Sequence, residues 1–98
     1  TLSDGVLAIA EGFEDAAAFT GLTGVTCWAA MGAARLPLLQ LPQDLNTLII
    51  AEDNDEPGRK AAHQATRAYT RPGLRISRRS PISGIDWAEF NDWMNRRQ

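Results

Sequence analysis

The stretch that most restricts how this chain can fold is residues 47–69, "TLIIAEDNDEPGRKAAHQATRAY". It opens with Leu48, Ile49 and Ile50, a short apolar run that suits a strand covered on both faces. The run stops at Glu52, Asp53, Asp55 and Glu56, four carboxylates within five positions. The period then changes. Ala61, Ala65, Ala68 and Tyr69 share one helical face and Lys60, His63, Gln64 and Arg67 the other, while Pro57 suits a first helical turn. A strand leading straight into an amphipathic helix is the first half of a crossover unit.

The same alternation runs through the rest of the chain. "GVLAIAEG" is a short strand carrying Val6, Leu7 and Ile9 that stops at Glu11-Gly12, and "EDAAAFTG" is a short helix closed by Gly21. A second strand is expected at about Val25 to Ala29. "MGAARLPLLQLP" supplies a helical turn or two, interrupted by Pro37 and ended by Pro42. After the "RPG" turn, "LRIS" is a fourth strand with Leu74 and Ile76 on one side. "RRSPISG" is loop, and a last helix starts at Asp86, where "DWAE" has the form of a capping box ahead of the apolar stripe Trp87, Phe90 and Met94. The fold class is α/β: a small layered domain of about four mostly parallel strands flanked by helices.

With 98 residues, 44% of them hydrophobic, the chain has material for one core and is expected to be a single module. It begins at Thr1 without an initiator Met, which points to a piece of a longer protein or a processed product. No apolar run approaches the roughly 18 residues of a membrane span, and the first residues lack the basic start and small-residue cleavage site of a signal peptide. The expectation is a soluble, cytoplasmic domain with no membrane partner. Cys27, in "GVTCWAA", is the single cysteine, so neither an internal disulfide nor a Cys-based zinc site can form, and core packing is its expected role. Net charge is only −2, yet nine of the twelve acids precede Pro57 and nine of the ten bases follow it. That asymmetry suits an acidic metal site beside a phosphate-facing surface; ordinary solvated helix faces would account for it equally well.

Parallel strands deliver their carboxyl ends to one edge, where ligands bind. The first strand ends at Glu11 and the third at Asp53 and Asp55, so acids far apart in sequence are expected to converge. In an extended segment a spacing of two turns Asp53 and Asp55 to one side and Glu52 and Glu56 elsewhere. Like charges so close resist joint ionisation unless a cation neutralises them. Magnesium fits, because it takes hard oxygen ligands from one or two carboxylates and fills its other positions with water and phosphate. The competing explanation is that Asp55 or Glu56 caps the helix after Pro57, worth about 1 kcal/mol. Capping needs one acid, not four. Glu14 and Asp15 are read as first-turn helix acids.

The segments "VLAIAEGFEDAAAF", "CWAAMGAARL", "LIIAEDNDEPGRKAA" and "GIDWAEF" resemble the Toprim domain shared by primases, topoisomerases and some nucleases. The detail is most similar to the Toprim module of phage and plasmid primases and primase-helicases, which commonly combine "EG-x-E-[TD]-A", "WAA-x-GA" and "DND-x-x-G". The resemblance covers almost the whole chain and implies a compact, Rossmann-like Toprim fold. It also implies Glu11 as general acid/base that shares in metal binding, Asp53 and Asp55 as the Mg2+ pair, with Mn2+ as the alternative ion, and Gly12 as the glycine that lets backbone approach the site. Near the C-terminus the relatives' compact "G-K-D-W-N-D" is replaced. Ile85 stands at the basic position and "AEF" separates Asp86-Trp87 from Asn91-Asp92, leaving Asp86 or Asp92 as an additional metal acid, with capping the alternative for Asp86.

Arg59 and Lys60, directly after "DNDEPG", lie near enough to the acidic edge to touch phosphate, and Arg75, Arg78 and Arg79 around the fourth strand form the next patch for a nucleic-acid backbone. His63 is expected to be solvated. Trp28, Trp87 and Trp93 are candidates for base stacking, with core packing the stronger reading for Trp87. There is no "GxxxxGK[ST]" loop, so helicase or ATPase activity would belong to another domain. Tyr69, on the buried helix face, does not suit a topoisomerase nucleophile. The expected function is a Mg2+-dependent primase nucleotidyltransferase module whose partners are DNA template, nucleotides, and zinc-binding or helicase modules of a parent protein. The alternatives are a Toprim nuclease and a non-catalytic DNA or protein interaction module.

Overall fold

A computed structural model of the chain describes residues 5–53 and 55–80. The expected last helix, with Asp86, Trp87, Asp92 and Trp93, and residues 81–84 of the expected "RRSPISG" loop lie outside the described residues, while Arg78 and Arg79 of that loop instead continue the fourth strand. In chain order the elements are β1 (Val6–Ala10), α1 (Phe13–Thr23), β2 (Cys27–Ala29), a 3-10 helix (Ala33–Leu38), β3 (Thr47–Ala51), α2 (Glu56–Tyr69) and β4 (Arg75–Arg79). The strands form one sheet in the order β2-β1-β3-β4, and every pairing is parallel.

Strand parity sorts the two layers. Leu7 and Ile9 of β1 pair in register with Leu48 and Ile50 of β3, and all four are fully buried. They pack with Leu36 of the 3-10 helix and with Ala61, Ala62 and Ala65 of α2. The opposite parity presents Ala8, Ala10 and Ala51, small residues against which α1 sets Ala16, Ala18 and Phe19. Large aliphatics therefore meet an alanine face on α2, and alanines of the sheet meet the buried Phe19 of α1. Large side chains thus face small ones across both interfaces, which lets the layers interdigitate.

Three details differ from expectation. Helix α1 runs through Gly21 to Thr23 and ends at Gly24, a left-handed cap with φ 76° whose N–H donates to the Thr20 carbonyl at 2.8 Å; Gly24 takes that conformation at no steric cost. On α2 the buried stripe is Gly58, Ala61, Ala62 and Ala65, and Ala68 is exposed. Tyr69 is half-buried and reaches back to the 3-10 helix, where its hydroxyl donates to the Leu36 carbonyl (2.5 Å) and accepts from the Leu39 N–H (2.7 Å). That pair of bonds ties the end of α2 to the segment around Pro37. At the sheet's β2 edge the N–H of Cys27 donates to Thr20 Oγ1 at 3.1 Å.

Candidate functional site

The topology singles out one place. β1 leads through α1 to β2 on one side, and β3 leads through α2 to β4 on the other, so the connections leaving the neighbouring strands β1 and β3 diverge at their carboxyl ends. Such a switch point opens a crevice between the two helices, the usual ligand position of a parallel sheet. Ala10 and Ala51 are register partners. Glu11 is one residue beyond the first and Glu52 and Asp53 are just beyond the second, so the acidic ends of β1 and β3 share this rim.

Glu11 is half-buried, and its carbonyl accepts the Gly32 N–H at 2.9 Å. The loop that makes this contact passes through Met31, a non-glycine residue at φ 65° whose side chain is 63% exposed. A left-handed methionine is uncommon enough to mark a constrained turn. Gly12 is extended (φ −118°, ψ 162°) at the N-cap of α1, and a Cβ there would meet only Asp15 Oδ2 at 3.8 Å. Packing among the described residues therefore does not demand a glycine at position 12.

After β3 the four acids part company. Glu52 is buried and its carboxylate is held by Arg78, Nε to Oε1 at 2.5 Å and Nη2 to Oε2 at 3.1 Å. The hydrogen bond to Glu52 holds the Arg78 guanidinium more firmly protonated than usual, outweighing the opposing effect of desolvation, with the Glu52 charge a lesser aid. Asp53 is half-buried with Oδ1 shielded from solvent. Asp55 is exposed and is the N-cap of α2: its Oδ1 accepts the Gly58 N–H at 2.7 Å. Glu56 is exposed in the first turn. Asp55 is itself extended at the cap, with φ −141° and ψ 171°. Among the described residues no group of three His, Cys, Asp or Glu side chains is gathered closely enough to hold a metal by itself.

Gly58, which the sequence pattern marks but does not explain, sits at the centre of this turn. A Cβ on it would fall 2.5 Å from the Asp53 carbonyl oxygen, 2.8 Å from Asp55 Oδ1 and 3.0 Å from Asp53 Cβ. The helix start is therefore pressed directly onto the two aspartates, and only a residue without a side chain allows it.

Among the basic candidates Arg59, Lys60, Arg75 and Arg79 are exposed, and Arg79 Nε lies 3.4 Å from Ser77 Oγ. Arg78 is committed to Glu52 and also donates from Nη2 to the Arg59 carbonyl at 3.2 Å. His63 is exposed, and Trp28 is 37% exposed on the edge strand β2. Cys27 is half-buried, and burial first, then the nearby charge of Asp15, pushes its thiol up to about 12. No helix among the described residues is long and apolar enough to cross a membrane.

A family model described as the Toprim domain matches residues 6–96, taking in both acidic strand ends and the turn around Gly58. The chain belongs to the Toprim family. The Toprim chain is also similar in fold to a crystal structure of a DNA primase domain from Pseudomonas aeruginosa, with a TM-score of 0.65 and 20% sequence identity over 94% of this chain and 32% of that one. It spans about a third of the length of that structure. No curated protein matches it.

Proposed function

We propose that this Toprim chain is the Mg2+-dependent catalytic module of a DNA primase acting in phage or plasmid replication. The observation that carries the proposal is the placement of Glu11 and Asp53 at the adjacent carboxyl ends of β1 and β3, on the rim where the sheet's connections diverge, with Asp55 starting α2 beside them. The likeness of fold to a primase domain favours primer synthesis over phosphodiester cleavage.

The donor set suits a hard cation. Asp53 and Asp55 offer carboxylate oxygens, and the cap bond occupies one oxygen of Asp55 and leaves the second available. With no three-acid cluster gathered among the described residues, the fit is to an ion held by one or two carboxylates that completes its shell with water and phosphate, the ordinary habit of magnesium. When bound, the ion supplies charge neutralisation on the incoming triphosphate and acidifies the primer 3′-hydroxyl. Glu11 is assigned the proton of that hydroxyl, as the acid/base of the site. Its half-buried setting and the bond from the Gly32 N–H to its carbonyl, which fixes the backbone there, support that assignment. Arg59 and Lys60, exposed in the first turns of α2, are assigned to phosphate, and the exposed Arg75 and Arg79 of β4 to a template backbone. The remaining surfaces for template and nucleotide, and zinc-binding or helicase modules, are assigned to other parts of a parent protein.

The test is a titration with Mg2+ and with Mn2+, in the presence of nucleotide or DNA, followed by calorimetry and amide NMR. Wild type is expected to show a saturable response centred on residues 11, 53 and 55, and Asp53→Asn with Asp55→Asn to abolish it. A wild-type chain without a saturable, acid-dependent response would remove the basis of the catalytic assignment.

A further inference from the structure

Among the described residues Glu52 is the one charged side chain that is buried, at 6% exposure. Taking a carboxylate out of water costs more than an ion pair usually returns, so such a pair is weakly explained by stability alone. Its connections offer another account. The guanidinium of Arg78 grips both oxygens of Glu52 in a forked contact, and its Nη2 also reaches the carbonyl of Arg59. Glu52 immediately precedes Asp53, and its own N–H donates to the Arg79 carbonyl at 2.9 Å, extending the β3–β4 ladder one rung past Ala51. Arg59 lies in the first turn of α2, and its N–H donates to the Asp55 carbonyl at 2.9 Å. One guanidinium on β4 thus braces the end of β3 that presents Asp53 and the helix start that Asp55 caps.

We infer that Glu52 and Arg78 are positioning residues, a clamp that sets the placement of Asp53 relative to Asp55. Resting on the metal-site assignment proposed above, this gives Arg78 a role other than contact with nucleic acid. Lysine cannot replace it fully, because one ammonium does not form the fork and reach the helix carbonyl together.

The clamp is tested on the full chain by amide hydrogen exchange in metal-free buffer, comparing wild type with Arg78→Met, Arg78→Lys and Glu52→Gln. In Arg78→Met the amides of Gly58 and Arg59, which bond to Asp55, are expected to exchange at least about tenfold faster, while those of Ala61, Ala62 and Ala65 stay within about twofold. Arg78→Lys and Glu52→Gln are expected to fall between, and they carry the comparison if Arg78→Met does not fold. Unchanged exchange at Gly58 and Arg59, or a uniform rise along all of α2, overturns the clamp and leaves a merely structural ion pair. In a parallel Mn2+ titration Arg78→Met is expected to bind at least about tenfold more weakly. Equal affinity in the two proteins also overturns the inference. If wild type gives no response that depends on Asp53 and Asp55, the metal assignment fails by itself and the exchange result decides the clamp.

Discussion

Replacing Gly58 by alanine sets two effects of opposite sign against each other. Gly58 is helical, so alanine should gain about 1 kcal/mol from propensity. The added Cβ, however, would lie 2.5 Å from a backbone oxygen of Asp53 and 2.8 Å from the capping oxygen of Asp55. The backbone contact can be relieved only by moving the end of β3 or the helix start, an overpacking cost of about 1–3 kcal/mol. Relieving the other means rotating Asp55 away, which gives up a cap worth about 1 kcal/mol. The net is a loss of about 1–3 kcal/mol, and in a domain of this size each kcal/mol moves Tm by about 4–8 °C, so a fall of roughly 5–20 °C is expected. Gly21→Ala is the internal control. It lies inside α1 with nothing within 4 Å of the added Cβ, and should raise Tm by several degrees, about 1 kcal/mol. Thermal unfolding by circular dichroism measures both. A Tm for Gly58→Ala equal to or above wild type, with Gly21→Ala stabilised, would show that the turn yields and that the close approach is not what requires the glycine.

Two further outcomes concern residues away from the rim. Tyr69→Phe deprives the Leu36 carbonyl and the Leu39 N–H of a shared partner, and should cost about 1–3 kcal/mol in urea denaturation. Burial lifts the Tyr69 phenol above its ordinary 10.0, with the Leu39 N–H pulling the other way. The folded pKa is the higher, so this contribution is complete below about pH 10 and disappears as pH climbs through the raised value; wild type should lose stability more steeply there than Tyr69→Phe. Cys27, with its thiol near 12 against an ordinary 9.0, should react slowly with a disulfide reagent at pH 8. Thiolate falls about a thousandfold and nucleophilicity recovers part of it, leaving folded protein roughly thirty- to sixtyfold slower than denatured. Equal rates would mean that the thiol is not shielded.

The strand-to-helix passage at residues 47–69 was legible because period and composition both change at the acids, and the parallel sheet follows from its repetition. Helix α1 passed its expected stop because Gly21 costs only about 1 kcal/mol there, less than the packing around Phe19 and Leu22 returns. The exchange of Ala68 for Ala62 on the buried stripe left no trace, since alanines carry no size signal. Glu52 and Arg78 were harder to pair because their contact is non-local. Parity held the clue: Glu52 follows the buried Ile50 by two residues and Arg78 follows Ile76 by two, which turns both toward the α2 face. Asp55 as a cap was legible from its place before Pro57. The need for glycine at position 58 was not, because only the folded turn brings the Asp53 backbone against it.

The Thr20 hydroxyl on the Cys27 N–H bears on how this domain meets its neighbours. β2 is only three residues long, and that donor, which would otherwise invite an added strand, is already taken. At the opposite border β4 carries the exposed cations Arg75 and Arg79, which repel a second copy of that edge, beside Arg78, which is paired with Glu52. Among the described residues each border of the sheet thus carries a feature that opposes sheet extension. Crowding against copies of itself is therefore not expected to join the sheets edge to edge.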